Sequence, residues 1–248
     1  MHRFFCPNAD FHVEILTLTD RTEIHHLRDV LRLKAGQGIV LFNGNGEEAE
    51  GTLQKVEKDG IEIRLGAIRE QPPRRSTRLV LACAMPKKSK FEGIIEKCTE
   101  LGADEIIPMV TERTETRLSG DRKEGKRQRY QTVAVNAAKQ SRRATVPIIG
   151  GVQSFEDVLA GLTAETAAVI PCLIPGTKNI FSELGNLKAP ERIVILIGPE
   201  GDFTPEEVQK AVTAGCIPVT LGPTVLKVDT AAVMSVGIAN LILHHQSA

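Results

Sequence analysis

Two loops in the C-terminal third of the chain combine residues that suit a ligand-binding site. The first, Gly198-Pro199-Glu200-Gly201, follows the apolar stretch Ile193–Ile197, and the second, which begins at Gly222-Pro223, follows Ile217–Leu221. Ligands of open α/β sheets bind at the carboxyl ends of strands, and glycine lets the backbone come close to a ligand. The two loops therefore predict two walls of one pocket, although a strand-to-helix turn of this kind also serves for packing alone.

Glu200 stands out in the first loop because its carboxylate suits a cationic or hydroxyl-bearing group. A helix is predicted after each loop. Thr204–Ala214 begins with a Thr cap, a Pro and Glu207 in the capping-box position, and Thr230–His244 is rich in small residues. Neither loop has the glycine pattern of a dinucleotide-binding turn or of a P-loop, so nucleotide binding of those kinds is not predicted.

Strands and helices alternate in the part of the chain that precedes the first loop. The predicted strands are Leu79–Ala84, Glu105–Val110 and Ala167–Cys172, and the predicted helices are Ser89–Leu101, Arg122–Arg143 and Phe155–Leu162. Alternating elements of this length indicate a mostly parallel sheet that is covered by helices on both faces.

The N-terminal part of the chain has a different pattern. A helix is predicted over Thr22–Lys34, and short strands over Ile39–Phe42, Glu50–Val56 and Ile61–Leu65, with a hairpin turn at Asn43–Gly46. Short strands at this spacing are typical of a small β-barrel. The polar, Pro-containing segment 69–76 is the best candidate for a linker between the two parts.

The composition is that of an ordinary globular protein, with 42% hydrophobic and 25% charged residues. No apolar run has the length of a membrane span, so we expect a soluble, cytoplasmic protein. The net charge of 0 conceals a basic middle, because residues 64–143 carry 19 Lys and Arg against 10 Asp and Glu. A basic segment between acidic ones fits a directed footprint on a polyanion, and it also fits a solvated surface.

The five cysteines are far apart and form no Cys-x-x-Cys pair. We expect them to be small apolar core residues, and no zinc signature or other metal site is predicted. Aromatic residues make up only 4% of the chain, which argues against recognition of nucleic acid by extensive base stacking.

The order and spacing of six motifs resemble the RsmE family of knotted (SPOUT-class) methyltransferases, which methylate a uridine of small-subunit ribosomal RNA at ring nitrogen 3. The motifs that carry the resemblance, in chain order, are His26-Leu27 to Gly36 with Leu41–Gly44, Lys97–Gly102 with Ile107-Pro108, Thr111-Glu112-Arg113, Gln140–Arg143 with Pro147, Leu196–Gly201, and Leu221-Gly222-Pro223 with Leu226 and Thr230-Ala231. Together they cover nearly the whole chain.

The resemblance implies a small N-terminal PUA-like β-barrel that binds RNA, over residues 1–72, and a knotted, mostly parallel α/β methyltransferase domain over residues 73–248. It implies S-adenosylmethionine as the cofactor and small-subunit ribosomal RNA, in the assembled subunit, as the substrate. It also implies a homodimer whose sites are formed by both subunits. Neither a membrane nor a metal is implied. By position, the residues implied at the cofactor are Leu173, Ile174, Leu196, Ile197, Gly198, Glu200, Gly201, Leu221, Gly222, Leu226 and Ala231.

Three arginines are candidates for the catalytic cation. Removal of the proton from the uridine imide leaves a developing negative charge that a positive side chain can stabilise. Within the resemblance, Arg143 is the first candidate, Arg113 the second and Arg3 the third, and each also fits a phosphate contact or a surface ion pair. No general base is identified. The basic stretch Arg122–Arg143 is expected to hold RNA phosphates, with binding that weakens as salt rises.

The chain departs from the family pattern at three positions. Asp202 replaces a Gly, Lys227 replaces an Arg and so lacks its planar fork, and Asp229 replaces a Glu. These departures leave open a non-catalytic RNA-binding factor for ribosome assembly. A knotted methyltransferase that acts on another atom, such as a ribose 2′-hydroxyl, is also open, whereas a small-molecule α/β enzyme leaves the basic middle unexplained.

Overall fold

The computed structural model divides the chain into two compact units. Unit 1 comprises Met1–Arg74 and Ala138–Val146, and unit 2 comprises Arg75–Ala137 and Pro147–Ala248. The predicted boundary between residues 72 and 73 lies outside the described residues and stays a prediction, as does most of the predicted linker. The residues that the structure describes are 1–70, 76–86, 90–115, 121–188 and 190–246.

Unit 1 is built on a mixed five-stranded sheet with the strand order β1-β3-β4-β5-β2, in which only the β1–β3 pair is parallel. Phe4, Leu41 and Ile63 belong to its fully buried core. The predicted strands after residue 38 are confirmed, and the hairpin turn at Asn43–Gly46 joins β3 to β4. The elements are β1 (His2–Phe5), β2 (Ile15–Leu18), α1 (Arg21–His25), β3 (Gly38–Phe42), β4 (Glu47–Val56) and β5 (Ile61–Glu70).

The helix predicted over Thr22–Lys34 is wrong in its second half. It ends as α1 at His25 and continues only as one π-helical turn, His26–Val30. Arg32 then adopts a left-handed backbone with φ 54°, and the Leu33 N–H donates to the Leu27 carbonyl oxygen at 3.0 Å. This reversal closes the helix in the manner of a C-terminal cap and turns Leu33 towards the core beside Leu27.

Unit 2 is a parallel sheet with the strand order β11-β13-β10-β12-β6-β7-β8, and β9 pairs with β7. The predicted alternation of strands and helices is confirmed, with ends within two or three residues of the prediction. The elements are β6 (Arg78–Ala84), α2 (Lys90–Glu100), β7 (Glu105–Val110), α3 (Asp121–Ser141), β8 (Ile148–Ile149), β9 (Gln153–Ser154), α4 (Phe155–Ala160), β10 (Thr166–Pro171), β11 (Lys178–Asn179), α5 (Ile180–Gly185), β12 (Arg192–Ile197), α6 (Pro205–Thr213), β13 (Ile217–Thr220) and α7 (Val228–Gln246).

Both faces of this sheet are buried. Val80 and Leu196 point to the face that packs on α4 and α6, in one core cluster with Phe155 and Val208. The alternate residues of the same strands are buried as well, and α7 packs against β6 and β12. No helix of the described residues is long and apolar enough to cross a membrane.

The N-terminus of α6 is tied to the loop that follows β7 by one buried carboxylate. Glu207, only 3% exposed, accepts from the Thr204 N–H at 2.9 Å and from the Glu112 N–H at 2.9 Å, while the Thr204 hydroxyl accepts from the Glu207 N–H. The predicted capping box is therefore confirmed, and it has an additional acceptor role that the sequence pattern does not contain.

We expect Glu207→Gln to lower the free energy of unfolding by about 1 to 2 kcal/mol, because the amide keeps one acceptor oxygen and leaves one of the two backbone N–H groups without its acceptor. Glu206→Gln makes the same chemical change one residue away at an exposed position and should cost only a few tenths of a kcal/mol. Urea unfolding followed by circular dichroism checks both values. Equal losses in the two variants would contradict the role of Glu207.

Candidate active site

A cavity of about 380 Å³ opens in unit 2 at the carboxyl ends of β10, β12 and β13. The loops that follow these three parallel strands form its walls, which is the arrangement expected of a ligand site in an open α/β sheet. Eight of the predicted cofactor residues line the cavity, namely Leu173, Ile197, Gly198, Glu200, Leu221, Gly222, Leu226 and Ala231.

The other three predicted cofactor residues do not line it. Leu196 is fully buried in the core cluster between the sheet, α4 and α6. Ile174 is 42% exposed, and Gly201 lies against the side chain of Arg113. Their assignment to the cofactor stays a prediction.

Part of the cavity wall is formed by residues that the sequence did not predict there. Pro86 and Lys90, from the region after β6, line the cavity although nothing in their own sequence marks them. They lie there because β6 is the neighbour of β12 in the sheet, and strand order is not visible in the sequence. Cys172 and Thr220, in the last residues of two predicted strands, and Val225, in the second loop, also line the cavity, and their closeness to the predicted pocket walls was the available signal.

The first loop is a tight turn with little free space. A Cβ atom at Gly198 would lie 3.1 Å from the Phe203 ring and 3.2 Å from the Phe203 backbone nitrogen, so a larger residue would require Phe203 to shift by a few tenths of an ångström. Asp202 has a left-handed backbone with φ 59°, its N–H donates to the Pro199 carbonyl at 2.9 Å, and its carboxylate accepts from the Phe203 N–H at 2.8 Å. Asp is one of the few residues other than glycine that tolerate this backbone conformation.

Arg113 contacts the same loop, at Gly201. Its guanidinium donates to the Gly201 carbonyl oxygen at 2.6 Å, and a Cβ atom at Gly201 would lie 3.3 Å from the Arg113 side chain. The neighbouring residue Glu112 is held by Glu207, as described above. The second catalytic candidate is thus placed beside the turn that forms one wall of the cavity.

Charged groups of both signs line the cavity. Among the described residues these are Lys90, Lys227, Glu200, Asp202 and Asp229. The thiol of Cys172 also lines it, and its pKa is raised by burial and further by the negative charge of Asp202, so this thiol is neutral near pH 7. The wall therefore offers carboxylates, but no thiolate, to a cationic ligand.

All five cysteines are buried and free, as predicted. Burial raises the pKa of Cys6 and of Cys98 to about 12, and that of Cys216 to about 11. Thiols of this kind are unreactive because the thiolate is the nucleophile. The described residues contain no group of three or more His, Cys, Asp and Glu side chains that is arranged to hold a metal.

The first and third catalytic candidates lie together in unit 1. Arg143 follows α3, and its side chain donates to the Thr145 hydroxyl through Nη2 at 3.0 Å. Arg3 lies in β1 and donates to the Arg143 carbonyl oxygen at 3.2 Å. Residues Ala138–Val146 group with unit 1, and they lie within the range 73–248 that is predicted for the C-terminal domain.

Two family models match this chain. The RNA methyltransferase domain matches residues 73–240, and the RNA methyltransferase PUA domain matches residues 18–66. Ribosomal RNA small subunit methyltransferase E of Bacillus subtilis is 31% identical over 213 residues, which are 84% of this chain and 83% of that protein. The protein of the same name from Synechocystis is 32% identical over 237 residues, which are 92% of this chain and 73% of that protein.

Solved structures agree with these relatives. A crystal structure of ribosomal RNA small subunit methyltransferase E from Neisseria gonorrhoeae, bound to S-adenosyl methionine, is 28% identical and covers 96% of both chains with a TM-score of 0.84. The predicted fold class, a PUA-like N-terminal unit followed by a parallel α/β methyltransferase unit, is confirmed by these matches. The chain therefore belongs to the RNA methyltransferase family, among the relatives of ribosomal RNA small subunit methyltransferase E.

Proposed function

We propose that this protein transfers the methyl group of S-adenosylmethionine to ring nitrogen 3 of a uridine in small-subunit ribosomal RNA. The observation that carries the proposal is the cavity formed by the loops after β10, β12 and β13 in a chain of the RNA methyltransferase family. The relatives named for methylation of small-subunit ribosomal RNA align with most of the chain, which supports the choice of substrate.

The cavity suits the proposed cofactor. Its volume of about 380 Å³ falls in the range of about 300–1,000 Å³ that is usual for small-molecule sites. The side chains of Leu173, Ile197, Leu221 and Leu226 supply apolar surface for an adenine ring and for the methylene groups beside the sulfur, and Glu200 supplies a carboxylate for a positively charged or hydroxyl-bearing group. The eight predicted residues in the wall are therefore proposed to hold the cofactor.

When bound, S-adenosylmethionine supplies an electrophilic methyl group on a positively charged sulfur. The task of the protein is to orient the uridine and to stabilise the negative charge that develops as the N3 proton leaves. Arg143 is our first candidate for this role because it carries a guanidinium cation that donates to the Thr145 hydroxyl. Arg113 is the second candidate, and its position beside Gly201 supports a role at the cofactor loop.

Finer features of the proposal follow from the family resemblance. From the resemblance we propose a trefoil knot in the region of the cavity loops. We also propose a cytoplasmic protein that acts on the assembled small subunit. Comparison of methyl transfer to assembled subunits and to free ribosomal RNA tests the last point.

The first experiment measures transfer of labelled methyl from S-adenosylmethionine to small subunits that lack the modification, with wild type, Arg143→Ala and a control. We expect label in uridine N3, and a decrease of kcat of at least about 100-fold in Arg143→Ala, because a preorganised cation at a developing charge contributes several kcal/mol. Lys210→Ala removes an exposed, surface-paired charge on α6 and should keep full activity.

The nucleoside product and the mutant distinguish the alternatives. Label in a ribose would replace the proposed target atom, and full activity of Arg143→Ala would remove that residue from catalysis. A wild-type protein that binds RNA but transfers no label would favour the non-catalytic assembly factor.

The exposed basic residues of α3 are proposed to contact RNA phosphates. Arg127 and Arg129 are 46% and 67% exposed, and among the described residues they pair with the carboxylates of Glu124 and Glu92, which at such exposure is a weak interaction. We expect the double variant Arg127→Gln/Arg129→Gln to lower the slope of log K against log salt by about 1 to 2, because each phosphate contact releases counterions. A fluorescence titration with a small-subunit RNA fragment at several salt concentrations measures the slope, and an unchanged slope would contradict the assignment.

Homodimer formation is supported by apolar side chains exposed on α7 and α5. Met234 and Leu241 lie seven residues apart on α7 and are 40% and 71% exposed, and Phe181 of α5, which packs against α7, is 65% exposed.

We expect the wild type to have twice the mass of one chain in sedimentation, and Leu241→Asp to shift the protein towards monomer. Val30→Asp, at a residue of unit 1 that is 59% exposed, is the matched control and should remain dimeric.

A further inference from the structure

Arg3 is nearly enclosed by unit 1, with a side chain only 10% exposed. Its Nη1 donates to the Glu48 carboxylate at 2.9 Å, and its Nη2 donates to the Arg143 carbonyl oxygen at 3.2 Å. One guanidinium therefore joins three separate parts of the sequence: the first strand, the start of β4 and the end of α3.

The face of the guanidinium rests on an aromatic ring. The Arg3 Cζ atom lies 5.0 Å from the centroid of the Phe42 ring, a distance at which the cation and the ring attract each other. Phe42 is fully buried and packs in one cluster with Ala138 and Ala144, which flank the end of α3. The contacts to Glu48, to Phe42 and to the Arg143 carbonyl leave Arg3 little freedom to turn towards a nucleobase.

Backbone hydrogen bonds hold both sides of the segment that carries Arg143. The Arg143 N–H donates to the Ala138 carbonyl at 3.0 Å, and the Val146 N–H donates to the Gly44 carbonyl at 2.9 Å. Arg142, the residue before Arg143, has a left-handed backbone with φ 60°. The bond from Arg3 fixes the carbonyl of Arg143 at the point where the chain leaves the helix.

A gain in folding stability does not by itself explain why an arginine is buried at this position. The Nε atom of Arg3 is buried with no hydrogen-bond partner among the described residues, and a buried ion pair is weak evidence of net stabilisation. An apolar side chain would fill the same space without that cost. What only arginine provides is a planar fork that donates to a carboxylate and to a carbonyl oxygen at the same time.

We propose that Arg3 is a positioning residue that fixes the backbone of Arg143, and that it does not itself contact the target base. Glu48 and Phe42 orient Arg3 for this purpose. The inference rests on the proposed catalytic role of Arg143 and replaces the prediction, from family resemblance, that Arg3 is a third catalytic cation.

The test is a double-mutant cycle of methyl transfer with Arg3→Met, Arg143→Ala and the combined variant. We expect Arg3→Met to lower kcat about tenfold with less than twofold change in KM, and to cause no further loss when Arg143 is already Ala. Arg3→Lys keeps the charge but cannot span both acceptors, so it should resemble Arg3→Met. Arg69→Met removes a similar but exposed Arg–Glu pair of the same sheet and should have wild-type kinetics.

Hydrogen exchange supplies a readout that does not depend on activity. We expect the amide protons of Arg143 and Val146 to exchange about tenfold faster in Arg3→Met than in wild type or in Arg69→Met. An equal loss of kcat in both Arg143 backgrounds, or full rescue by Arg3→Lys, would overturn the inference, as would unchanged exchange at both amides. Failure of the proposed function itself has a separate signature, since the wild type would then transfer no methyl group while the exchange result would still report on Arg3.

Discussion

The parallel insertion of β12 between β6 and β10 is the constraint on which the rest of unit 2 depends. Ile195 pairs with Leu81 on one side and with Val169 on the other, and Val169 pairs in turn with Ile217. Since parallel strands in register end at the same edge, their loops must meet there. Both faces of the strands are buried, which fixes this register against slippage because a shift by one residue would reverse the direction of every side chain.

The strand order brings the loops together, and side-chain hydrogen bonds to backbone groups then fix their conformation around the cavity. Glu207 accepts from two backbone N–H groups, those of Glu112 and Thr204, which are far apart in the sequence. Arg113 donates to the carbonyl oxygen of Gly201 in the first loop. Phe203 packs closely against Gly198 in the same turn. A preformed wall favours ligand binding. A loop that became ordered only on binding would lose conformational entropy, and this loss would lower the affinity.

Unit 1 has a different set of long-range polar contacts. Beside its apolar core it contains two largely buried ion pairs, which specify how distant parts of the chain meet more than they stabilise the fold. Lys139 pairs with Glu23, and Arg3 pairs with Glu48, in each case with both side chains largely buried. Both pairs link the N-terminal strands and helix to the segment Ala138–Val146. The arginine proposed to act on the substrate is thus carried by a segment that is anchored within this unit.

The sequence by itself determined the alternation of elements, the capping of α6, the burial of the cysteines and the two loops that line the cavity. These features are local, since hydrophobic period, cap residues and turn residues act within about ten positions of each other. Only the tertiary structure decided that Pro86 and Lys90 join the cavity wall, that Leu196 faces the core, and that Glu207 reaches Glu112. It also decided that Arg3 is enclosed, because its partners Glu48 and Arg143 lie 45 and 140 residues away in the sequence and only the folded chain brings them together.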